Sequence, residues 1–373
     1  MFDRNRPFND LPPLPPAAEV ETAAVLKKAI TASRALAELK GMAERMPNQA
    51  MLIDSLVLQE ARASSEIENI LTTNDELFKA ASDEALPASA EAREVLRYRQ
   101  ALNYGFRQIR ERPLATGLFI EIAQLIKQTD VSVRRTPGTR ITNGRGETIY
   151  TPPEGEAVIR DKLRHLENFM HAEDGPGSGP GGGPGRGPGS GLDVLVKMAL
   201  VHYQFEAIHP FPDGNGRSGR IVNILYLVDR GLLNLPVLYL SRHIIDHKPA
   251  YYEGLRRVTE EGAWGDWVLY MLDAVEQTSL RTRQQITDIM ALMEAVRERV
   301  QREAPGVYSK DLIEQIFRQP YCKIQFLERA GIGTRQTCAK YLRELERLGV
   351  LHGEKIGREV YFINQALFAL LTR

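Results

Sequence analysis

Cysteine is nearly absent: the 373 residues hold two, Cys322 and Cys338. They fall on what read as separate helices and lack metal-ligand spacing, so neither a disulfide framework nor a zinc site is expected. The pair fits a reducing compartment. An excess of either charge is also absent. Lysine plus arginine and aspartate plus glutamate both number 48, so whole-molecule attraction to nucleic acid or to an anionic membrane is not indicated. Any such binding would need a local patch. No run of about 18 apolar residues is present, so no membrane span is expected. Met1 to Pro16 is polar and proline-rich, without an apolar signal core. These features together read as a cytoplasmic protein with no membrane partner.

What remains is an ordinary globular balance, 43% hydrophobic and 26% charged, enough for two or three domains with real cores. Phe8 to Pro16 is too proline-rich for helix or sheet and is expected to lie extended over a folded surface. Val20 to Met46, Met51 to Ile70 and Ser89 to Arg112 carry apolar residues at three- and four-residue steps, so the N-terminal third reads as amphipathic helix. In Gly138 to Pro153, Ile141 and Ile149-Tyr150 flank Asn143-Gly144, a hairpin-turn signal. Val158 to Ala172 returns to helical spacing. Gly175 to Gly191 is almost entirely glycine, proline and serine and is expected to be a flexible surface loop.

Leu192 to Ile208 and Ser218 to Asp229 read as core helices, with further helix from Ala250 to Glu303. Beyond Ala304-Pro305-Gly306 come three helical stretches, Lys310 to Arg318, Lys323 to Ala330 and Thr334 to Leu348. Val350-Leu351 and Val360 to Ile363 then flank a turn at Lys355 to Arg358. That is the order of a winged helix. The predicted class is therefore mainly α, with a small β-hairpin and a C-terminal winged-helix domain. The expected division is 1–112, 113–275, a helical linker at 276–305, and 306–373.

Between the two core helices stands His209-Pro-Phe-Pro-Asp-Gly-Asn-Gly-Arg-Ser-Gly-Arg220. Gly214, Gly216 and Gly219 fit a dinucleotide fingerprint, but that pattern needs a preceding buried strand, and here a helical run precedes it. No P-loop is present. A histidine at a helix end followed by a glycine turn is an unremarkable feature by itself. This turn, however, also gathers Asp213, Asn215, Arg217 and Arg220 just before a helix. Free backbone N–H groups at a helix N-terminus bind anions. Two arginines add bidentate phosphate donors. Asp213 offers a hard oxygen for Mg²⁺, and His209 offers a base that is neutral near pH 7. The combination describes a polyphosphate site beside a base.

These residues resemble the Fic family, whose signature H-x-F-x-[D/E]-G-N-G-R-x-x-R matches at every fixed position. Asn9 to Pro16 resembles the N-terminal extension of bacterial members, Ile141 to Pro153 the target-docking flap, and Leu235 to Tyr252 the family's continuation. The resemblance implies a Fic helical core and a protein adenylyltransferase that moves AMP from ATP to a hydroxyl of a target protein. It implies His209 as base and Asp213 as Mg²⁺ ligand. Gly214, Asn215 and Gly216 would hold the α-phosphate, Arg217 the β-phosphate and Arg220 the γ-phosphate. Phe211 would anchor the loop, and Tyr251, less surely Tyr252, would lie near adenine. Ile141, Ile149 and Tyr150 would dock the target along a strand edge. Upstream, Ser64 to Asn69 fits the family's inhibitory pattern [S/T]-x-x-x-E-[G/N]. A helix puts Ser64 and Glu68 on one face, and Glu68 would take the Arg220 guanidinium that ATP needs.

The Thr334 to Leu348 segment carries Arg335, Lys340, Arg343 and Arg347, and the wing carries Lys355 and Arg358. Glu344, Glu346, Glu354 and Glu359 interrupt this field, so protein interaction or intramolecular packing is favoured over DNA binding. The rival function is a DNA-binding regulator that uses the nucleotide site as a sensor. An intact His209 argues for the enzyme, since sensing needs no base there. A homodimer is compatible with the sequence, which fixes no oligomeric state, target or releasing signal.

Overall fold

The computed structural model describes residues 2–46, 48–82, 88–172, 191–356 and 359–373. Most of the expected glycine-rich loop, and the tip of the C-terminal turn at 357–358, lie outside them.

Helices dominate. The N-terminal region contains α1 (Ala23–Glu44), α2 (Gln49–Ile67), α3 (Asn74–Ser82), α4 (Ala90–Gln108) and α5 (Thr116–Lys127). Side-chain caps explain where several begin. Thr22 Oγ1 accepts from Val25 N at 3.3 Å and Ser89 Oγ from Ala92 N at 3.0 Å, each satisfying an N–H that the first turn leaves unpaired. A hairpin follows, β1 (Ile141–Thr142) and β2 (Thr148–Tyr150), and then α6 (Glu156–His171), α7 (Val194–Ile208) and α8 (Asn215–Asp229). The hairpin forms where the Asn143-Gly144 signal predicts it, with a turn longer than two residues. Asn143 Oδ1 accepts from Arg145 N and Glu147 N, at 2.9 and 3.0 Å, and the positive φ falls on Gly146. Asn143 thus opens a longer turn closed by a left-handed glycine.

The helical run from Ala250 onward divides. Before it stands α9 (Leu240–Asp246), followed by α10 (Lys248–Glu261) and α11 (Trp264–Glu303). Gly262, at φ 68°, supplies the left-handed residue that ends α10. At about 1.5 Å per residue α11 is about 60 Å long. The 275/276 division falls inside this one helix, which also packs along α1 through Lys28 to Asp273 and Glu276, at 2.5 and 2.7 Å.

The C-terminal region comprises α12 (Lys310–Arg318), β3 (Tyr321–Cys322), α13 (Ile324–Arg329), α14 (Arg335–Arg347), β4 (His352–Ile356), β5 (Glu359–Ile363) and α15 (Gln365–Leu371). The helix, helix, helix, hairpin order is as expected. The short strand β3 joins the hairpin to make an antiparallel sheet of order β3-β5-β4, with Tyr321 opposite Ile363 and Lys355 opposite Val360. Cys322 therefore lies on a strand, not on a helix; both cysteines are buried and free.

Helix α2 is buried on nearly every side, its Ser55, Gln59, Glu60, Ser64 and Ser65 included, where the periodicity predicts an amphipathic helix with one solvated face. Its Glu60 accepts from Ser241 N and Oγ, at 2.9 and 2.5 Å, and from Tyr98 Oη at 3.1 Å, linking α2 to α9 and α4. The C-terminal region docks on its N-terminal half. Arg318 Nε donates to Asp54 at 2.6 Å, Ser55 Oγ to the Arg318 carbonyl at 3.2 Å, and Asn48 Nδ2 to Glu314 at 3.3 Å. The N-terminal strap is also as expected: Lys162, His165 and Gln204 hold the carbonyls of Leu11, Leu14 and Pro12 at 2.8–2.9 Å. No described helix is long and apolar enough to cross a membrane.

The fully buried Leu225 of α8 fills the space over Gly105 of α4, where a Cβ would lie 2.5 Å from its Cδ1. Leu225→Ala is expected to destabilise the protein by about 2–5 kcal/mol, read as a lower urea midpoint at unchanged slope.

Candidate active site

The site is built where α7 meets α8. His209 caps the end of α7 in the left-handed conformation, φ 49°, and its N–H returns to the Phe205 carbonyl at 3.0 Å. The chain then reverses through Phe211, whose ring is fully buried. Asn215 closes the reversal: its Oδ1 accepts from Phe211 N at 2.8 Å and its Nδ2 donates to Phe211 O at 2.7 Å. The Asn215 side chain thus staples the loop through both its oxygen and its nitrogen. Gly214, at φ 83°, precedes α8 and leaves its first turn without a side-chain cap, so backbone N–H groups there are open to an anion.

Arg134, not singled out from the sequence, holds this turn from behind. Its Nε donates to the His209 carbonyl at 2.6 Å, and its Nη2 to the carbonyls of Pro153 and Ile208 at 2.9 and 3.3 Å. The buried guanidinium therefore ties the turn after α7 to the base of the hairpin. His209 itself is partly buried. Lost hydration, followed by the Arg134 charge, brings its pKa down to about 4, against weaker opposing pulls from the Glu206 carbonyl, Glu68 and Asp213. The ring is neutral at physiological pH.

Each charged residue of the loop is paired. Asp213 meets the Lys127 ammonium from the end of α5 and accepts from Gly214 N at 2.5 Å. Burial favours its protonated form, but Lys127 outweighs that and holds its carboxyl below the usual range. Arg217 donates from Nη1 to Glu94 of α4 at 2.5 Å. Arg220 is occupied from α2: Nε donates to Ser64 Oγ at 2.8 Å, and Nη2 to Ser64 O at 2.9 Å and Glu68 Oε1 at 2.8 Å. Burial alone would raise the Glu68 carboxyl; Arg220, by charge and hydrogen bond, lowers it below its ordinary value. Ser64, Glu68 and Arg220 are thus brought together as the sequence pattern anticipates. Gly216 is part of that fit, because a Cβ there would lie 2.4 Å from Glu68 Oε1 and 3.0 Å from Arg220 Nη1.

Two expected contacts move. Tyr251 is 2% exposed, its hydroxyl bonded to His202 Nε2 at 3.0 Å within a cluster that includes Trp267 and Tyr270. It is a core residue, and the neighbouring Tyr252, 43% exposed, is the ring a ligand can reach. Tyr150 donates its hydroxyl to the Ala207 carbonyl at 2.8 Å and packs against Phe2 and Phe8. It anchors the hairpin to α7, so Ile141 and Ile149, both half-buried, remain for docking. On α14, Arg335, Lys340, Arg343 and Arg347 are exposed, but Arg347 is held by Glu344 at 2.6 Å.

Two family profiles match the chain: Fic/DOC family N-terminal over residues 26–107, and protein adenylyltransferase SoFic-like, C-terminal domain, over 292–367. The loop at 209–220 lies between them. A Fic family protein of Desulfovibrio desulfuricans G20 superimposes with a TM-score of 0.55 at 18% identity, covering 92% of this chain and 97% of that one. The chain is thus similar to Fic proteins in fold, and its N- and C-terminal regions match Fic family profiles. A probable protein adenylyltransferase of Aquifex aeolicus is 47% identical over 72 residues, 19% of this chain and 20% of that protein. The protein adenylyltransferase Fic of Aedes aegypti is 38% identical over 80 residues, 21% and 15% of the two chains. These alignments span a fifth or less of the curated relatives' length. The stretch from His209 to Arg220 keeps every fixed position of the signature it resembles.

Two outcomes are expected. Asn215→Ala strands the buried Phe211 N–H and is expected to cost about 1–3 kcal/mol in urea unfolding. In an NMR titration the His209 ring is expected to protonate with a midpoint of about 4 instead of its ordinary 6.5. Because the folded value is the lower one, His209 stabilises the fold fully above pH 6.5, and that stabilisation is lost as pH falls from 6.5 towards 4.

Proposed function

We propose that this protein is a Fic adenylyltransferase restrained by its own α2. The observation that carries the reading is the Arg220 guanidinium, buried at the N-terminal end of α8 and held by Ser64 and Glu68 beside an intact His209 loop.

The chemistry is in-line transfer at the α-phosphorus of ATP. The hydroxyl oxygen of a protein target forms the new P–O bond, the bond to the β-phosphate oxygen breaks, and pyrophosphate leaves. His209 takes the hydroxyl proton, a role that suits a ring neutral at physiological pH. Transfers of this kind depend on alignment and charge stabilisation. The N–H groups of Asn215 and Gly216 suit the α-phosphate, Arg217 the β-phosphate and Arg220 the γ-phosphate. Arg134 and Asn215 keep the turn rigid. Ile141 and Ile149 offer a short strand edge for a target segment, and Tyr252 offers a ring for adenine.

Mg²⁺ fits one position. Asp213 is 62% exposed and is a single carboxylate, and no cluster of three metal-ligating side chains occurs among the described residues. Mg²⁺ typically binds through one or two carboxylates with substrate phosphates and waters. Asp213 would hold it after parting from Lys127, and the ion would neutralise phosphate charge. With Glu68 on Arg220, the γ-phosphate loses its partner and the triphosphate its alignment, so the wild-type chain is a weak transferase by default.

Incorporation of label from α-labelled ATP into protein tests this. Glu68→Gly is expected to raise incorporation at least about tenfold, since a charge-assisted contact is worth about 1.5–3 kcal/mol. His209→Ala in that background is expected to reduce it about 10²–10⁴-fold. No gain in Glu68→Gly would remove the restraint, and undiminished transfer in His209→Ala would remove the base.

A further inference from the structure

The two loop arginines are held differently. Arg220 has both Nε and Nη2 consumed by α2. Arg217, 3% exposed, donates Nη1 to Glu94 at 2.5 Å, while its Nε is buried with no hydrogen-bond partner among the described residues. A buried donor of a charged group left unpaired is costly, and here it belongs to a guanidinium fixed by a single carboxylate contact. The same Glu94 oxygen stands 4.0 Å from Lys127 Nζ, and Lys127 pairs with Asp213. The Lys127 stem crosses Gly214, where a Cβ would lie 3.6 Å from its Cγ and Cδ. Charges therefore alternate along one wall of the loop: Arg217, Glu94, Lys127, Asp213.

We propose that Glu94 of α4 is a positioning residue of the nucleotide site, holding Arg217 by one nitrogen so that the rest of its guanidinium meets the phosphate chain, and keeping Lys127 beside Asp213. This rests on the reading of the loop as a polyphosphate site. Glu94 contrasts with Glu68: one carboxylate orients an arginine for the ligand, and the other occupies an arginine in the ligand's place. The two are separable because they act on different arginines from different helices.

The test measures binding, not AMP transfer, in the full-length Glu68→Gly protein. ATP, inorganic tripolyphosphate and adenosine are titrated by calorimetry into that protein and into its Glu94→Ala and Glu94→Gln derivatives. Glu94→Ala is expected to weaken ATP and tripolyphosphate about ten- to hundredfold and to leave adenosine within about twofold. Glu94→Gln, whose amide oxygen still accepts from Nη1, is expected to recover most of the loss. In ligand-free protein the Arg217 Nε–H resonance is expected to persist in Glu94→Gln and to broaden in Glu94→Ala, a readout independent of nucleotide. Equal or tighter ATP binding by Glu94→Ala, or an unchanged Arg217 resonance, would overturn the proposal. A Glu68→Gly protein that binds ATP through Glu94 but labels no protein would overturn the proposed transferase and leave the role of Glu94 standing.

Discussion

A guanidinium at the N-terminal end of α8, almost entirely removed from water, is the constraint around which this molecule is arranged. A buried cation without partners is far too costly to persist, so Arg220 must be answered from somewhere. The answer comes from α2, through a serine hydroxyl, a serine carbonyl and a glutamate carboxylate. Gly216 leaves the space this needs, because a Cβ there would strike the Glu68 carboxylate. The absence of a side chain at Gly216 thus admits the carboxylate to the arginine.

The rest of the site is held by groups that no ligand need displace. Asn215 closes the turn on Phe211, and Arg134 binds three carbonyls across it. These contacts hold the left-handed backbone at His209 and set its imidazole beside the N-terminal end of α8. The turn and Arg220 are thus held by different groups.

Local patterns reached much of this. The twelve residues from His209 to Arg220 carry their chemistry in consecutive positions, and Ser64 and Glu68 share a helical face at four-residue spacing. The helix and hairpin order of the C-terminal region also follows from short-range periodicity. Lys127, Glu94 and Arg134 were out of reach, because they meet their partners across 86, 123 and 75 residues, and no local spacing encodes such pairings. The inward turn of Tyr251 and the Tyr150 hydroxyl depend on tertiary packing in the same way. At the hairpin the Asn-Gly pair was legible but its geometry was not, since the Asn143 side chain recruits two N–H groups and moves the left-handed position to Gly146.

Helix α2 is clamped along its first half by Arg318, Ser55 and Asn48 contacts and midway by Glu60. A lever fixed at one end and at its fulcrum cannot swing its tip. Its last turn is also tethered, by Lys248 on the Ile67 carbonyl at 2.7 Å and by the Ser65 carbonyl, which accepts from both Glu68 N and Ile70 N at 3.0 Å. Beyond that, Asn69 sits at φ 62°, where the helical path already breaks. Fraying the residues after Ile67, a local opening of the kind that costs less than global unfolding, would therefore part Glu68 from Arg220 while Ser64 and the body of α2 stay in place.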